Sequence, residues 1–207
     1  YAKFAQLYPD QHIILKYEPG KNLGINPFYK TPGEAVTAEW LEDLTNFLIE
    51  LYVPGERSNK AQEVALKKIL RSYYERVKER HSLDGLYRYV QDNRDSLLEK
   101  LGIDPDYFNL TNFLHILSEY VGDGLYSFLF KAGEDRSHRL EDKRLIVFEL
   151  DEVRDNREVL SVMLKLIKSA IQRTIWRNRS ERGIILFDEF AKQLKFDNVL
   201  ESVEFYY

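Results

Sequence analysis

The chain contains no cysteine. Thiolate zinc sites, disulfides and cysteine nucleophiles are therefore excluded. Histidine is sparse as well. His12, His81, His115 and His138 are scattered, with no pair at helical metal-binding spacing. Surface or packing roles are expected for all of them. Methionine occurs once, at Met163. The chain does not open on a start residue, so it is expected to be a piece of a longer protein. No uninterrupted apolar run approaches the ~20 residues of a membrane span. The opening Tyr1-Ala2-Lys3-Phe4 lacks the basic-then-apolar layout of a signal peptide. No G-x-S-x-G elbow is present, which argues against a serine hydrolase of that design. The phosphate-binding G-x-x-x-x-G-K-[ST] loop is absent too. Excess positive charge is also lacking. A net charge of −4 gives no general push toward nucleic acid, so any DNA contact would need a local basic patch.

What remains is an ordinary globular composition, 44% hydrophobic and 31% charged over 207 residues. That is enough for one large domain or two small ones. Residues 12–17 read as a short strand. Turns follow at Glu18-Pro19-Gly20, Asn26-Pro27-Phe28 and Thr31-Pro32-Gly33. The pattern then becomes helical. Residues 37–52 carry Trp40, Leu41, Leu44, Phe47, Leu48 and Leu51 at helical spacing, with Thr37 as N-cap. A second helix is predicted from near Ser58, with Val64, Leu66, Ile69, Leu70, Tyr73 and Val77 inward. A third spans residues 84–101 and stops at Gly102. A fourth spans residues 111–121, with Phe113, Leu114, Leu117 and Tyr120 inward. These aromatic and leucine stripes read as core. The polar stretch 132–137 reads as an exposed loop that closes the helical block.

Beyond it the pattern turns α/β. Residues 145–150 form a second buried-strand candidate. A helix of residues 156–177 follows, with Val159, Leu160, Val162, Met163, Leu164, Leu166 and Ile167 deeply packed. Its basic end (Arg173, Arg177, then Arg179 and Arg182) suits the negative end of the helix dipole. The competing reading is an arginine that reaches a phosphate. A strand over residues 184–187 would complete a right-handed parallel crossover.

The run Gly183-Ile184-Ile185-Leu186-Phe187-Asp188-Glu189-Phe190 carries the chemistry. Four apolar residues lead into two carboxylates. Such a run reads as a strand buried on both faces. An unpartnered buried carboxylate is costly, so the acidic tip should meet solvent, a cation or a ligand. Ligands of open α/β sheets collect at the carboxyl ends of strands. The crossover would bring Asp151-Glu152 and Asp188-Glu189 to one sheet edge. Three readings follow. In the first, the acidic tip marks only the chain reaching the surface. Asp151, Asp188 and Glu189 could hold cations as in a carboxylate nuclease, although no further ligands show the needed spacing. Or Asp188-Glu189 is the Walker B pair of a nucleoside triphosphatase, where the Asp supports Mg²⁺.

Several segments, taken in order, resemble the conjugative type IV secretion ATPases, including the TraG-type proteins of conjugative transposons. They are Tyr1-Ala2-Lys3-Phe4, Ile25-Asn26-Pro27-Phe28, Leu125-Tyr126-Ser127-Phe128-Leu129-Phe130, Arg144-Leu145-Ile146-Val147-Phe148-Glu149-Leu150 and Ile185-Leu186-Phe187-Asp188-Glu189-Phe190-Ala191-Lys192. The resemblance covers essentially the whole chain and rests on order more than on any single motif. It implies an α/β, predominantly helical fold: a partial RecA-like P-loop NTPase core interrupted by an all-helical subdomain. Residues 1–33 would belong to the core after the missing P-loop. Residues 34–135 would be the helical subdomain, and residues 136–207 the core with the Walker B strand. ATP hydrolysis with Mg²⁺ is implied for the parent, with Asp188 supporting Mg²⁺ through water and Glu189 polarising the attacking water. Asn26 and Pro27 would shape a turn and are assigned no chemistry. No nucleotide-binding residue is expected in this piece, which alone is expected to be inactive. The P-loop would lie before Tyr1, and the family's Gln/Arg segment after Tyr207. A hexamer working with other secretion components at the inner face of the bacterial inner membrane is implied, powering DNA transfer and pilus biogenesis. The alternative is a helical protein-interaction module of such a complex, without activity of its own.

Overall fold

The structure is a computed structural model that describes residues 2–18, 20–21, 23–30, 33–52, 59–78, 80–130, 140, 143–153, 156–174 and 184–186. The chain divides into two units, Pro27–Lys131 and Tyr1–Asn26 with Ala132–Tyr207.

The first unit is helical. Helix α2 spans Ala38–Tyr52. Its start is set by Thr37, whose Oγ1 accepts the Trp40 N–H at 3.1 Å. (Helix α1, Ala2–Leu7, belongs to the other unit.) Leu44, Phe47, Leu48 and Leu51 make the buried face. Helix α3 spans Lys60–Arg76. It opens on a capping box in which Asn59 Oδ1 accepts from the Ala61 N–H and Gln62 Oε1 accepts from the Asn59 N–H. Ala65, Leu66, Ile69, Leu70, Tyr73 and Tyr74 are buried. Val64, expected inside, is 45% exposed. The packed stripe runs one position further round the helix.

The single helix predicted for residues 84–101 is instead two: α4, Leu83–Asp92, and α5, Leu97–Leu101. The break falls at Asn93-Arg94-Asp95-Ser96. The Asn93 side-chain amide donates to the Tyr89 carbonyl at 2.8 Å. Short polar side chains of this kind compete with the helical backbone and favour turns. Gly102 then ends α5 at φ +58°, a left-handed conformation that suits glycine. The Gly102 and Ile103 amides donate back to Glu99 and Leu98. Helix α6 is Leu110–Leu117, capped by Asn109, and continues as a tight turn, Ser118–Tyr120. At Gly124 a Cβ would lie 2.2 Å from the Ser118 carbonyl oxygen, so only glycine fits there.

Two aromatic clusters fill this core. Phe47 meets Phe28 and Phe130, and Phe113 meets Tyr52 and Phe108, all at ring-centroid distances of 5.4–6.1 Å. Phe28 is completely buried, and its carbonyl accepts from the Tyr74 hydroxyl at 2.7 Å. Packing thus places Phe28 in the helical unit.

The second unit carries helix α1, Ala2–Leu7, strand β1, His12–Lys16, strand β2, Leu145–Glu149, and helix α7, Arg157–Thr174. The strands pair in parallel, from His12↔Leu145 to Lys16↔Glu149. Arg144 N–H to Gln11 O and Tyr17 N–H to Glu149 O extend the pairing at either end. Helix α7 is capped by Asn156, whose Oδ1 accepts the Val159 N–H at 3.1 Å. Val159, Leu160, Val162, Met163, Leu164, Leu166 and Ile167 are buried, as their pattern requires.

Two expectations fail here. All five residues of β2 are half-buried, although their composition reads as a fully covered strand. Residues Ile184–Leu186 are irregular, with Ile184 97% and Leu186 85% exposed. An apolar run becomes a covered strand only where neighbours supply backbone partners and a packing face. Among the described residues the sheet has two strands, and neither supplies them to Ile184–Leu186.

Candidate functional site

Parallel pairing brings the carboxyl ends of β1 and β2 to one edge. Lys16, Tyr17 and Glu18 leave β1 beside Glu149, Leu150, Asp151 and Glu152 from β2. This is the edge at which α/β sheets collect ligands. Asp151 and Glu152 open a short turn, Asp151–Val153. Its Val153 is buried while both carboxylates face solvent. The turn is closed by the Val153 N–H on the Leu150 carbonyl at 3.0 Å. Helix α7 starts directly after it, at the same end of the strands. Tyr17 is buried there, which pushes its phenol pKa up.

The sequence-predicted site residues Asp188 and Glu189 lie outside the described residues, as do Phe187 and the arginines Arg177, Arg179 and Arg182. Asp151 and Glu152 are thus the members of the two acidic pairs whose position is described. Among the described residues no group of three His, Asp or Glu side chains could hold a metal ion. The chain also lacks the G-x-x-x-x-G-K-[ST] loop whose amides and lysine would cradle phosphates. The described edge therefore does not by itself fit Mg-ATP. Asn26 is buried, and Phe28 is buried within the helical core.

The helical unit has its own concave feature, a groove of about 270 Å³. Ala61, Val64 and Ala65 of α3 face Ile103 and Tyr107 across it. Lys68 pins one wall, its Nζ donating to the carbonyls of Leu101 and Gly102 at 3.1 and 3.0 Å. Among the described residues no helix is long and apolar enough to cross a membrane.

The TraG P-loop domain family matches residues 1–207, the whole chain. The chain belongs to that family. The match bears out the TraG-type family resemblance read from its ordered segments. The fold of this TraG P-loop domain is similar to that of VirB4 of Thermoanaerobacter pseudethanolicus, with a TM-score of 0.58 and 19% sequence identity. The match covers 99% of this chain and 54% of the VirB4 chain, so the domain spans about half the length of that protein. No curated protein matches the sequence. The VirB4 likeness agrees with a mostly helical fold that carries, among the described residues, a small parallel sheet.

The sequence reading foresaw the edge carboxylates Asp151 and Glu152. It did not foresee the buried polar contacts among Ser72, Tyr73, Tyr89, His81 and Ser82. Tyr73 and Tyr89 in helical stripes read simply as core, and the Ser82 partner of Tyr73 comes from a turn whose path the sequence does not reveal.

Proposed function

We propose that this TraG P-loop domain is an internal part of an ATP-hydrolysing motor that powers conjugative DNA transfer and type IV secretion, including pilus biogenesis. The observation that carries the reading is the family match over the entire chain. In this proposal the strand-bearing unit is part of a RecA-like core, and the helical unit is an insertion within it. Asp188 supports Mg²⁺ through water and Glu189 polarises the attacking water, both in the intact parent, which supplies the phosphate loop. The parent works as a hexamer with other secretion components at the inner face of the bacterial inner membrane.

In the full-length protein, Glu189→Gln should leave nucleotide binding largely intact and reduce turnover by roughly 10²-fold or more, as expected on removing a general base. Unchanged turnover would remove Glu189 from the mechanism. The isolated chain should show no heat of binding with Mg-ATP in calorimetry. Tight binding would mean that the nucleotide site has been misplaced.

The second reading is a helical interaction module, and the exposure of Val64 (45%) and Tyr107 (62%) at one groove favours it. The other exposed large apolar residues of that unit, Tyr29 and Leu125, do not line the groove. The remaining aromatic stripes are spent in the core, so the motor reading is preferred.

A further inference from the structure

His81 is 4% exposed, in the turn between α3 and α4. Its ring stands edge-on to Tyr73 at 5.5 Å and tilted against Tyr74 at 4.6 Å. Its Nε2 lies 2.9 Å from the Val77 carbonyl oxygen, a geometry that assigns the neutral ring's proton to Nε2. Arg80, just before it, adopts φ +54°, a conformation that costs a non-glycine residue energy. The turn therefore needs something to hold it.

The two tyrosines that box the imidazole are also ties. The Tyr73 hydroxyl accepts the Ser82 N–H at 3.1 Å and donates to the Ser82 carbonyl at 3.3 Å. Ser82 in turn caps α4 by accepting the Gly85 N–H at 3.0 Å. A Cβ at Gly85 would come within 2.6 Å of the Tyr73 hydroxyl, so α4 is seated closely on that ring. The Tyr74 hydroxyl holds the Phe28 carbonyl at 2.7 Å, and its ring packs on Trp40 of α2. One imidazole thus sits where the leading segment of the helical unit, α2, α3 and the α3–α4 turn converge.

We propose that His81 is an acid-sensitive latch: neutral, it keeps the α3–α4 turn and the Phe28 segment closed, and protonated, it releases them. A charged imidazole in this aromatic box would lose its hydration. Among the described contacts, the groups that face it are the Tyr73 and Tyr74 rings and the Val77 carbonyl from α3, and Lys30 from the leading segment. The Lys30 charge disfavours a second cation, and the Val77 carbonyl offsets only part of the cost. Burial first, then Lys30, accordingly hold the imidazole pKa below its ordinary value. As pH falls, the unfolded or opened chain takes up the proton before the closed turn does. The stability held by the latch is therefore present above the ordinary histidine range of about 6.5 and is lost as pH drops through that range toward the lowered value.

Hydrogen exchange on the full chain at pH 7.5 and 5.5, corrected for intrinsic rates, tests the latch. The amides of Ser82, Gly85 and the residues around Phe28 should lose protection at pH 5.5, while those of α6 keep theirs. His81→Phe keeps a neutral ring in the box and should make protection at the turn independent of pH across this range. Equal losses in the variant and the parent chain would overturn the proposal. Should the variant fail to fold, the Cε1 proton of His81 in the unaltered chain decides by NMR titration. A midpoint below the ordinary value, with turn amides shifting alongside, supports the latch. An ordinary or raised midpoint sinks it.

Discussion

The two units of this chain obey the same hydrophobic rules with opposite completeness. In the helical unit every helix that has an apolar stripe buries it. Leu48, Leu66, Ile69, Leu86, Phe113 and Leu117 are all fully covered. In the strand-bearing unit the β1–β2 pair is half-buried along most of its length, and Ile14 is 39% exposed. The difference is one of bookkeeping in hydrogen bonds. A helix satisfies its own backbone and needs only one packed face. A strand borrows both its backbone partners and its cover from elsewhere. Burial in the first unit is therefore decided by nearby residues, and in the second by whatever further strands and helices lie against the sheet.

That comparison can be broken by core truncation. Phe113 is fully buried, with Tyr52 at 5.5 Å and Phe108 at 5.4 Å. Phe113→Ala should cost about 3–5 kcal/mol, the usual range for a packed phenylalanine. The expected readout is a large fall in the urea midpoint followed by far-ultraviolet circular dichroism. A loss under about 1 kcal/mol, the size of a surface change, would show that the aromatic cluster is loosely packed and that the contrast between the units is overstated.

What was legible from sequence follows the same division. The Thr37 cap, the stripe of α2, the inward set Phe113, Leu114, Leu117 and Tyr120, and the buried face of α7 are all as the periodicity predicts. Each is a local consequence of residue order. The split at Asn93–Ser96 was missed because an apolar period continues across it, and only the Asn93 side chain reveals the stop. The coverage of β2 was misjudged because composition reports what a strand could bury, not what lies against it. The place of Asp151 and Glu152 at the end of a strand was legible, but the pairing that makes their edge, β1 beside β2, was not: the sequence pattern pairs residues 145–150 with 184–187 instead. Asp188 and Glu189 were reached through the motif and the family resemblance alone.

A smaller effect sharpens the contrast from the alkaline side. Tyr73 is completely buried, and burial pushes its phenol up to about 12. The unfolded chain would ionise this phenol near its ordinary value of about 10. Between those values the unfolded state carries fewer protons, so the stability that Tyr73 lends is full below pH ~10 and falls as pH rises toward 12. The loss should be on the order of 2 kcal/mol. Tyr73→Phe should flatten this alkaline limb relative to the parent chain, at the cost of about 1–2 kcal/mol at neutral pH for the lost Ser82 contacts. An identical alkaline limb in the variant would assign the lability to other tyrosines.

The smallest effect probes the strand-bearing unit directly. Ile14 lies in the middle of β1, registered with Val147, and is 39% exposed. Ile14→Thr keeps the β-branch and so the strand preference. It removes the terminal methyl and replaces a methylene with a hydroxyl, at a position already open to water. The change should stay within about 0.5 kcal/mol, the range of ordinary surface substitutions. In the full-length protein the same substitution becomes informative. If the parent lays another strand or helix over this face, Ile14 is buried there and the hydroxyl must be desolvated, so the cost should rise to about 1–3 kcal/mol. A threonine that is harmless in both contexts would mean that β1 is an outer strand of the motor core. A threonine costly in the isolated chain would mean that its sheet is already covered, and the contrast between the two units would fall.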